Sequence, residues 1–249
     1  MIEFRGLHKA FGRLVVLNGV DLSVREGETL VLLGPSGTGK SVLIKHAIGL
    51  LEPDEGDVFV DGVSVPNASP EELARVRRSV GYVFQNAALF DSMSVLENLW
   101  LALDDDRNLR TPESCRDEAA ELLERVNLDP TVMDKFPAEL SGGMRKRVGV
   151  ARAIASRPKY LLYDEPTTGL DPVNAENIDQ LIMELRREIG VTSSVVTHDL
   201  ESAFMVGDRI ALLFQGRIHA CGTPDEIMAS TDPVVQKFVR RGRTDAAVA

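Results

Sequence analysis

Three continuous apolar runs stand out along this chain: Leu30-Val31-Leu32-Leu33, Tyr160-Leu161-Leu162-Tyr163 and Ile210-Ala211-Leu212-Leu213-Phe214. The first two, continuous and without alternation, predict buried strands, and the third, taken from Arg209, the first strand of a hairpin. Val80 to Phe84 and Ser194 to Thr197 also read as strands. Between them apolar residues recur at helical spacing, over Val95 to Leu103, Arg116 to Val126, Gly143 to Ser156 and Val173 to Ile189. Shorter helices are predicted over Lys40 to Leu50, Leu200 to Val206, Pro224 to Met228 and Val234 to Arg240. Strands alternating with helices predict an α/β fold built on a parallel sheet. The start differs: Ile2 to Phe4, Val15 to Leu17 and Leu22 to Val24 are strand-like pieces with no helix among them, and predict an antiparallel sheet. Asp61-Gly62 after Val58 to Val60, and Gln215-Gly216 before Arg217 to Ala220, read as tight turns. Asp104-Asp105-Asp106 reads as a solvated loop and Thr244 to Ala249 as a frayed tail.

The chain has 249 residues, 44% hydrophobic and 27% charged, which suits one large domain or a core with a smaller subdomain. A formal net charge of -10 argues against nucleic acid as the main partner, since phosphate neutralisation needs a basic surface. No apolar run approaches the roughly 20 residues of a bilayer span. Met1-Ile2-Glu3-Phe4-Arg5 does not look like a secretory signal. Cys115 and Cys221 have no metal-type spacing, so a reduced, cytoplasmic compartment is expected. A membrane role would then come through a partner.

Gly34-Pro35-Ser36-Gly37-Thr38-Gly39-Lys40-Ser41 fits G-x-x-x-x-G-K-[ST] between a buried strand and a helix. The glycines let successive backbone N–H groups turn inward on an anion. Lys40 offers a mobile charge to the outer phosphates, and Ser41 a hydroxyl to Mg²⁺. Tyr160-Leu161-Leu162-Tyr163-Asp164-Glu165 is a buried strand ending in two carboxylates, at the end where open α/β sheets bind ligands. Asp164 would hold Mg²⁺ through water, and Glu165 would orient or deprotonate an attacking water. A strand simply running into a polar loop is the competing reading. Leu140-Ser141-Gly142-Gly143-Met144 precedes a helix, with Ser141 suited to its N-cap.

With these elements, Gln85 after a strand, Gly169-Leu170-Asp171, and His198 after Val195-Val196-Thr197, nearly the whole chain resembles the ATP-binding cassette family. That resemblance implies a P-loop NTPase core with an antiparallel β subdomain and a helical insert. The core would take 1–85 and 138–249 and the insert 86–137, continued by the signature helix 141–156. It implies a homodimer, head to tail, with two ATP molecules held by the phosphate loop of one chain and the 140–144 signature of the other. Gln85 would sense Mg²⁺ and water, His198 would contact the γ-phosphate, and Asp171 would lie on a loop linking the two sites. Mg²⁺ would be held by Ser41, Gln85 and Asp164. Phe11 falls where the family stacks an aromatic ring on adenine; a core Phe of the antiparallel sheet is the competing reading.

Residues 86–95 resemble the segment of transport cassettes that receives a coupling helix of an integral-membrane permease. Leu89, Phe90 and Met93 would supply apolar contact there, or else pack the insert. The chain would then sit on the cytoplasmic face of the inner or plasma membrane. Met144-Arg145-Lys146-Arg147, the 196–204 segment and Asp232 to Phe238 resemble ATPases of Mla-type phospholipid transport, which work with MCE-domain lipid-binding proteins. The basic run Arg145 to Arg147 reads physically as a solvated helix face. An importer of amino acids or another small solute, and a nucleotide-gated module without catalysis, are the alternatives.

Overall fold

A computed structural model describes residues 1–103 and 110–246, with side chains through Val239. In chain order the elements are β1 Ile2–Phe11, β2 Leu14–Val24, β3 Thr29–Leu33, α1 Lys40–His46, β4 Glu55–Val60, β5 Val63–Ser64, α2 Pro70–Ser79 and β6 Val80–Val83. They continue as α3 Val95–Leu103, α4 Arg116–Arg125, α5 Gly142–Ile154, β7 Tyr160–Asp164, α6 Pro172–Ile189, β8 Thr192–Thr197, α7 Leu200–Val206, β9 Arg209–Phe214, β10 Arg217–Gly222, α8 Pro224–Ala229 and α9 Pro233–Ala246. The predicted loop Asp104 to Asp106 lies outside the described residues, as do Ala247 to Ala249 of the tail. Thr244 to Ala246 are the last turn of α9 rather than frayed chain.

The chain forms two compact units, residues 1–77 with 192–249, and residues 78–191. In the first, β1 pairs antiparallel with β2 and with β4, and β5 closes the edge. The separate early pieces of sequence are in fact long strands. Val15 to Leu17 and Leu22 to Val24 belong to one strand, and register shifts in β1 around Leu7 bend the pair. Bulges interrupt the alternation of sequence without ending the strand, which is why the pieces read as separate. Beside this sheet, β3 lies between β8 and β9, parallel to both, and β10 returns antiparallel to β9. All five residues of β3 are buried. Each such aliphatic side chain contributes about 1.5–3 kcal/mol. The Asn18 N–H donates to the Gly216 carbonyl at 2.8 Å, tying β2 to the β9–β10 turn. Glu28 and Arg209 form a largely buried ion pair with both carboxylate oxygens within 3.0 Å.

α1 stops at His46, four residues before the expected end, and Gly49 takes a left-handed φ of 62° as the chain leaves. α2 was not anticipated from apolar spacing because its mean hydropathy is low and only Val76 is buried. Its signal is a capping box: Ser69 Oγ accepts from the Glu72 N–H at 3.2 Å, and Glu72 Oε2 accepts from the Ser69 N–H at 2.9 Å. In the second unit β6 and β7 are parallel, with Val83 opposite Tyr163. α5 packs on α3, α4, α6 and β6. Gly81 makes the α5–β6 approach possible, since a Cβ there would lie 2.4 Å from the Ala153 carbonyl oxygen.

Candidate functional site

In the first unit, β3 delivers the phosphate loop. A Cβ on Gly34 would lie 2.4 Å from the Leu213 carbonyl oxygen, and one on Gly39 (φ 100°) 2.6 Å from Val16 Cγ1. Side chains at either position would force the loop open. Thr38 closes it, its hydroxyl donating to the Pro35 carbonyl at 2.8 Å. Lys40 is 4% exposed and its Nζ donates to the carbonyls of Gly34 at 2.8 Å and Pro35 at 3.1 Å. The ammonium is therefore held inside the curl formed by Gly34 to Gly39, where an anion's charge would draw it outward. Pro35, Ser36 and Gly37 complete that curl, and Ser41 follows Lys40 in the first turn of α1. Thr197 stands opposite Leu33, so His198, exposed at the end of β8, adjoins the strand end from which the loop springs. Phe11 is 48% exposed at the end of β1, with Lys9 Nζ 5.7 Å from its ring centre, so it is not a core residue.

In the second unit, β7 ends in Asp164 and Glu165, which are 4% and 8% exposed. Asp164 accepts a hydrogen bond from the Tyr82 hydroxyl at 3.0 Å. Burial, and then the Asp164 carboxylate, push the Tyr82 phenol far above its ordinary pKa, so it stays a donor. Glu165 has a left-handed φ of 51°, uncommon for a residue with a side chain. Its carboxylate accepts from Thr168 Oγ1 at 2.9 Å. Gln85 is exposed two residues beyond β6. Its carbonyl, like that of Glu165, accepts from Lys146 Nζ.

The 140–144 segment turns into α5 under Ser141, whose Oγ accepts from the Met144 N–H at 3.2 Å. Leu140 is buried, and Gly142 and Gly143 form the first turn. A Cβ on Gly143 would lie 2.9 Å from Asn174 Oδ1. Asn174 is itself held by Asp171, its N–H at 3.0 Å and its side-chain amide at 2.6 Å from the carboxylate. Those two bonds hold the Asp171 carboxyl below the usual carboxylate range. The structure thus brings Asp171 and the signature together through Asn174, which sequence reasoning did not single out.

The solvated reading of Arg145 to Arg147 fails for Lys146, while Arg145 stays exposed and Arg147 half-buried. Arg145 donates to the Leu140 carbonyl at 2.6 Å and Arg147 to the Asn127 carbonyl at 3.0 Å, while Lys146 is 7% exposed. All three cations satisfy backbone carbonyls at segment ends. Residues 87 and 88 both take left-handed φ, at 58° and 50°. Arg152 donates to both of their carbonyls, at 3.0 and 2.8 Å. Phe90, 54% exposed, lines a groove of about 470 Å³ with Tyr82, Phe84, Leu101, Ala102 and Arg152. Leu89 and Met93 are half-buried and do not line it. Asn98 shapes this segment from α3, exchanging bonds with Phe90 N–H at 2.8 Å and with the carbonyls of Phe90, Met93 and Ser94. A larger cavity of about 520 Å³, lined by Leu103, Glu118, Leu122, Arg125 and Ile189 among others, shares none of these groups.

A family model described as ABC transporter matches residues 17–168, from β2 through the end of β7. The chain belongs to the ABC transporter family. It carries the α/β ABC ATPase fold and is an ATP-binding, ATP-hydrolysing subunit whose hydrolysis is coupled to transport. It is 41% identical over 242 residues to the probable ribonucleotide transport ATP-binding protein mkl of Mycobacterium leprae, covering 97% of this chain and 69% of that protein. It is 37% identical over 246 residues to the glycine betaine/carnitine/choline transport ATP-binding protein OpuCA of Bacillus subtilis, covering 98% and 63%. The solved dimeric ATP-binding cassette MJ0796, in a post-hydrolysis state bound to ADP and Pi, superposes with a TM-score of 0.81 at 34% identity, over 90% of this chain and 99% of that one. cbiO1 of Clostridium perfringens, part of the ABC transporter complex cbiONQ, gives 0.79 at 29% identity, over 99% and 98%. Membership as an ABC ATPase displaces the non-catalytic module. These relatives carry ribonucleotide and glycine betaine/carnitine/choline names, so the narrower Mla and MCE resemblance has no support among them. Among the described residues, no helix of this ABC ATPase is long and apolar enough to cross a membrane.

Proposed function

We propose that this ABC ATPase works as a head-to-tail homodimer on an integral-membrane permease, and that its cargo is a small solute. The observation that carries the catalytic part is the end of β7. Two buried carboxylates stand side by side there, one held by Tyr82 and the other by Thr168. Two acids with separate partners suit two separate roles. Lys40 and the N–H groups of Gly34 to Gly39 bind the phosphates, and Phe11 stacks on the adenine. Ser141 to Met144 contact the γ-phosphate of the partner subunit's nucleotide. Ser41, Asp164 and the Gln85 amide oxygen are hard oxygen donors, the set Mg²⁺ takes. When bound, Mg²⁺ neutralises charge on the β- and γ-phosphates. Glu165 accepts a proton from the water that forms a bond to the γ-phosphorus, as the bond to the β-phosphate oxygen breaks. His198 holds the γ-phosphate, and Asp171 links the two sites.

Replacing Glu165 with Gln is expected to keep ATP affinity, accumulate an ATP-bound dimer and reduce steady-state turnover by about 10²–10⁴-fold, the range of a lost general base. Phosphate release and the mass of the ATP complex check this; undiminished turnover would remove Glu165 from the mechanism. On cargo, the names of the relatives support a small solute better than phospholipid. The lipid reading rests on the 144–147, 196–204 and 232–238 segments alone. Phe90 and its groove support permease docking, which would place the subunit on the cytoplasmic face of the membrane.

A further inference from the structure

Lys146 is the one lysine of the signature helix, and its position is costly. It lies one turn into α5, is 7% exposed, and burial pushes its ammonium below the ordinary lysine pKa. A buried ammonium survives only with partners that repay its desolvation. Two are backbone carbonyls from strand ends far apart in sequence. Lys146 Nζ donates to the Gln85 carbonyl at 2.5 Å and to the Glu165 carbonyl at 3.2 Å. The Asp164 and Glu165 carboxylates add attraction.

Glu165 is where this matters. Its left-handed backbone, φ 51°, sits in a sparsely populated region that persists only where neighbours over-determine it. Its carbonyl also accepts from the Thr168 N–H at 3.3 Å, and its carboxylate from the Thr168 hydroxyl at 2.9 Å. The lysine therefore pins the residue from its backbone side while Thr168 pins the carboxylate. The same ammonium fixes the backbone of Gln85, and Arg152, six residues further along α5, fixes those of Ala87 and Ala88. Gly149, between the two cations, allows the contact, since a Cβ there would lie 3.0 Å from Ala87 Cβ.

We propose that Lys146 is a positioning residue for hydrolysis, joining the backbones of Gln85 and Glu165 so that the signature helix sets the aim of the Glu165 carboxylate. The inference rests on the assignment of Glu165 as the base. The hydrogen bonds of Lys146 go to the main chain of Gln85 and Glu165, so it acts through main-chain geometry. Removing it should therefore reduce kcat and spare nucleotide binding.

The test uses the full chain with its permease and measures kcat, ATP affinity and thermal unfolding for Lys146→Met, Lys146→Gln and Glu165→Gln. A displaced base costs about 10- to 100-fold in rate. Lys146→Met should show that loss in kcat with ATP affinity changed by less than about twofold. Lys146→Gln, which keeps a neutral donor and covers the case in which the Met variant does not fold, should lose less. Combined with Glu165→Gln, Lys146→Met should add under about twofold, because the group it positions is already gone. Unchanged kcat in a folded Lys146 variant, equal losses in kcat and affinity, or full additivity with Glu165→Gln would overturn the proposal. Turnover retained by Glu165→Gln itself would instead overturn the base assignment.

Discussion

Single side chains carry this site's chemistry, and several do so through one hydrogen bond. Tyr82 is the plainest case. Its hydroxyl donates to the buried Asp164 carboxylate, and its raised pKa keeps the proton in place across the working pH range. A hydrogen bond to a charged group contributes about 1.5–3 kcal/mol. Tyr82→Phe keeps the ring and loses that bond. It is expected to destabilise the fold by about 1–3 kcal/mol and to raise the Mg²⁺ concentration needed for half-maximal turnover. Urea unfolding and a Mg²⁺ titration of ATPase rate check the two parts. Equal stability of the variant and the parent would show that the bond contributes nothing. At this scale Phe11 shows the limit of reading a line of residues. An aromatic in a strand suits a core as well as a ligand, and its 48% exposure separates the two.

Elements show why some features were legible and others not. Helices with strong apolar spacing, such as α3 and α7, appear where the spacing places them. α2 escaped because it buries one residue, and only its capping box betrays it. α1 carries a pH dependence of its own. His46 is buried, and its Nδ1 lies 2.7 Å from the Val42 carbonyl, a bond that requires the proton on Nδ1. Desolvation lowers its pKa below the ordinary 6.5. Above 6.5 the ring is neutral in both folded and unfolded chains, and its contribution is complete. As pH falls below that value the unfolded chain binds a proton that the folded chain refuses, so stability declines toward the lowered folded pKa. Denaturant midpoints between pH 7.5 and pH 5, roughly the span of histidine titration, should fall with pH. His46→Gln should flatten that slope; an unchanged slope would assign it to other groups.

For the whole molecule, the family and the coupled ATPase activity follow from elements spread along nearly all of the chain. The partner does not, because on the proposed reading cargo would pass through the permease and leave no chemistry on this subunit. Affinity capture from membranes of the source cell is expected to bring down one integral-membrane permease with a soluble small-solute-binding component. Recovery of an MCE-domain protein with bound phospholipid would reverse the cargo assignment. Phe90→Ala, which removes the exposed ring from the groove, should weaken that capture while leaving ATP binding intact.

The phosphate loop, the strand ending in Asp164 and Glu165, and the Ser141-capped signature could be read directly, because each is contiguous and its conformation is dictated within a few residues by glycine freedom, apolar runs and caps. What no linear reading could supply are pairings across long separations. Tyr82 meets Asp164 from 82 positions away, and Lys146 meets Gln85 from 61. Lys146 could as well face water, and only the packing of α5 on its neighbours turns its ammonium onto the Gln85 and Glu165 carbonyls and removes the water that would otherwise solvate it.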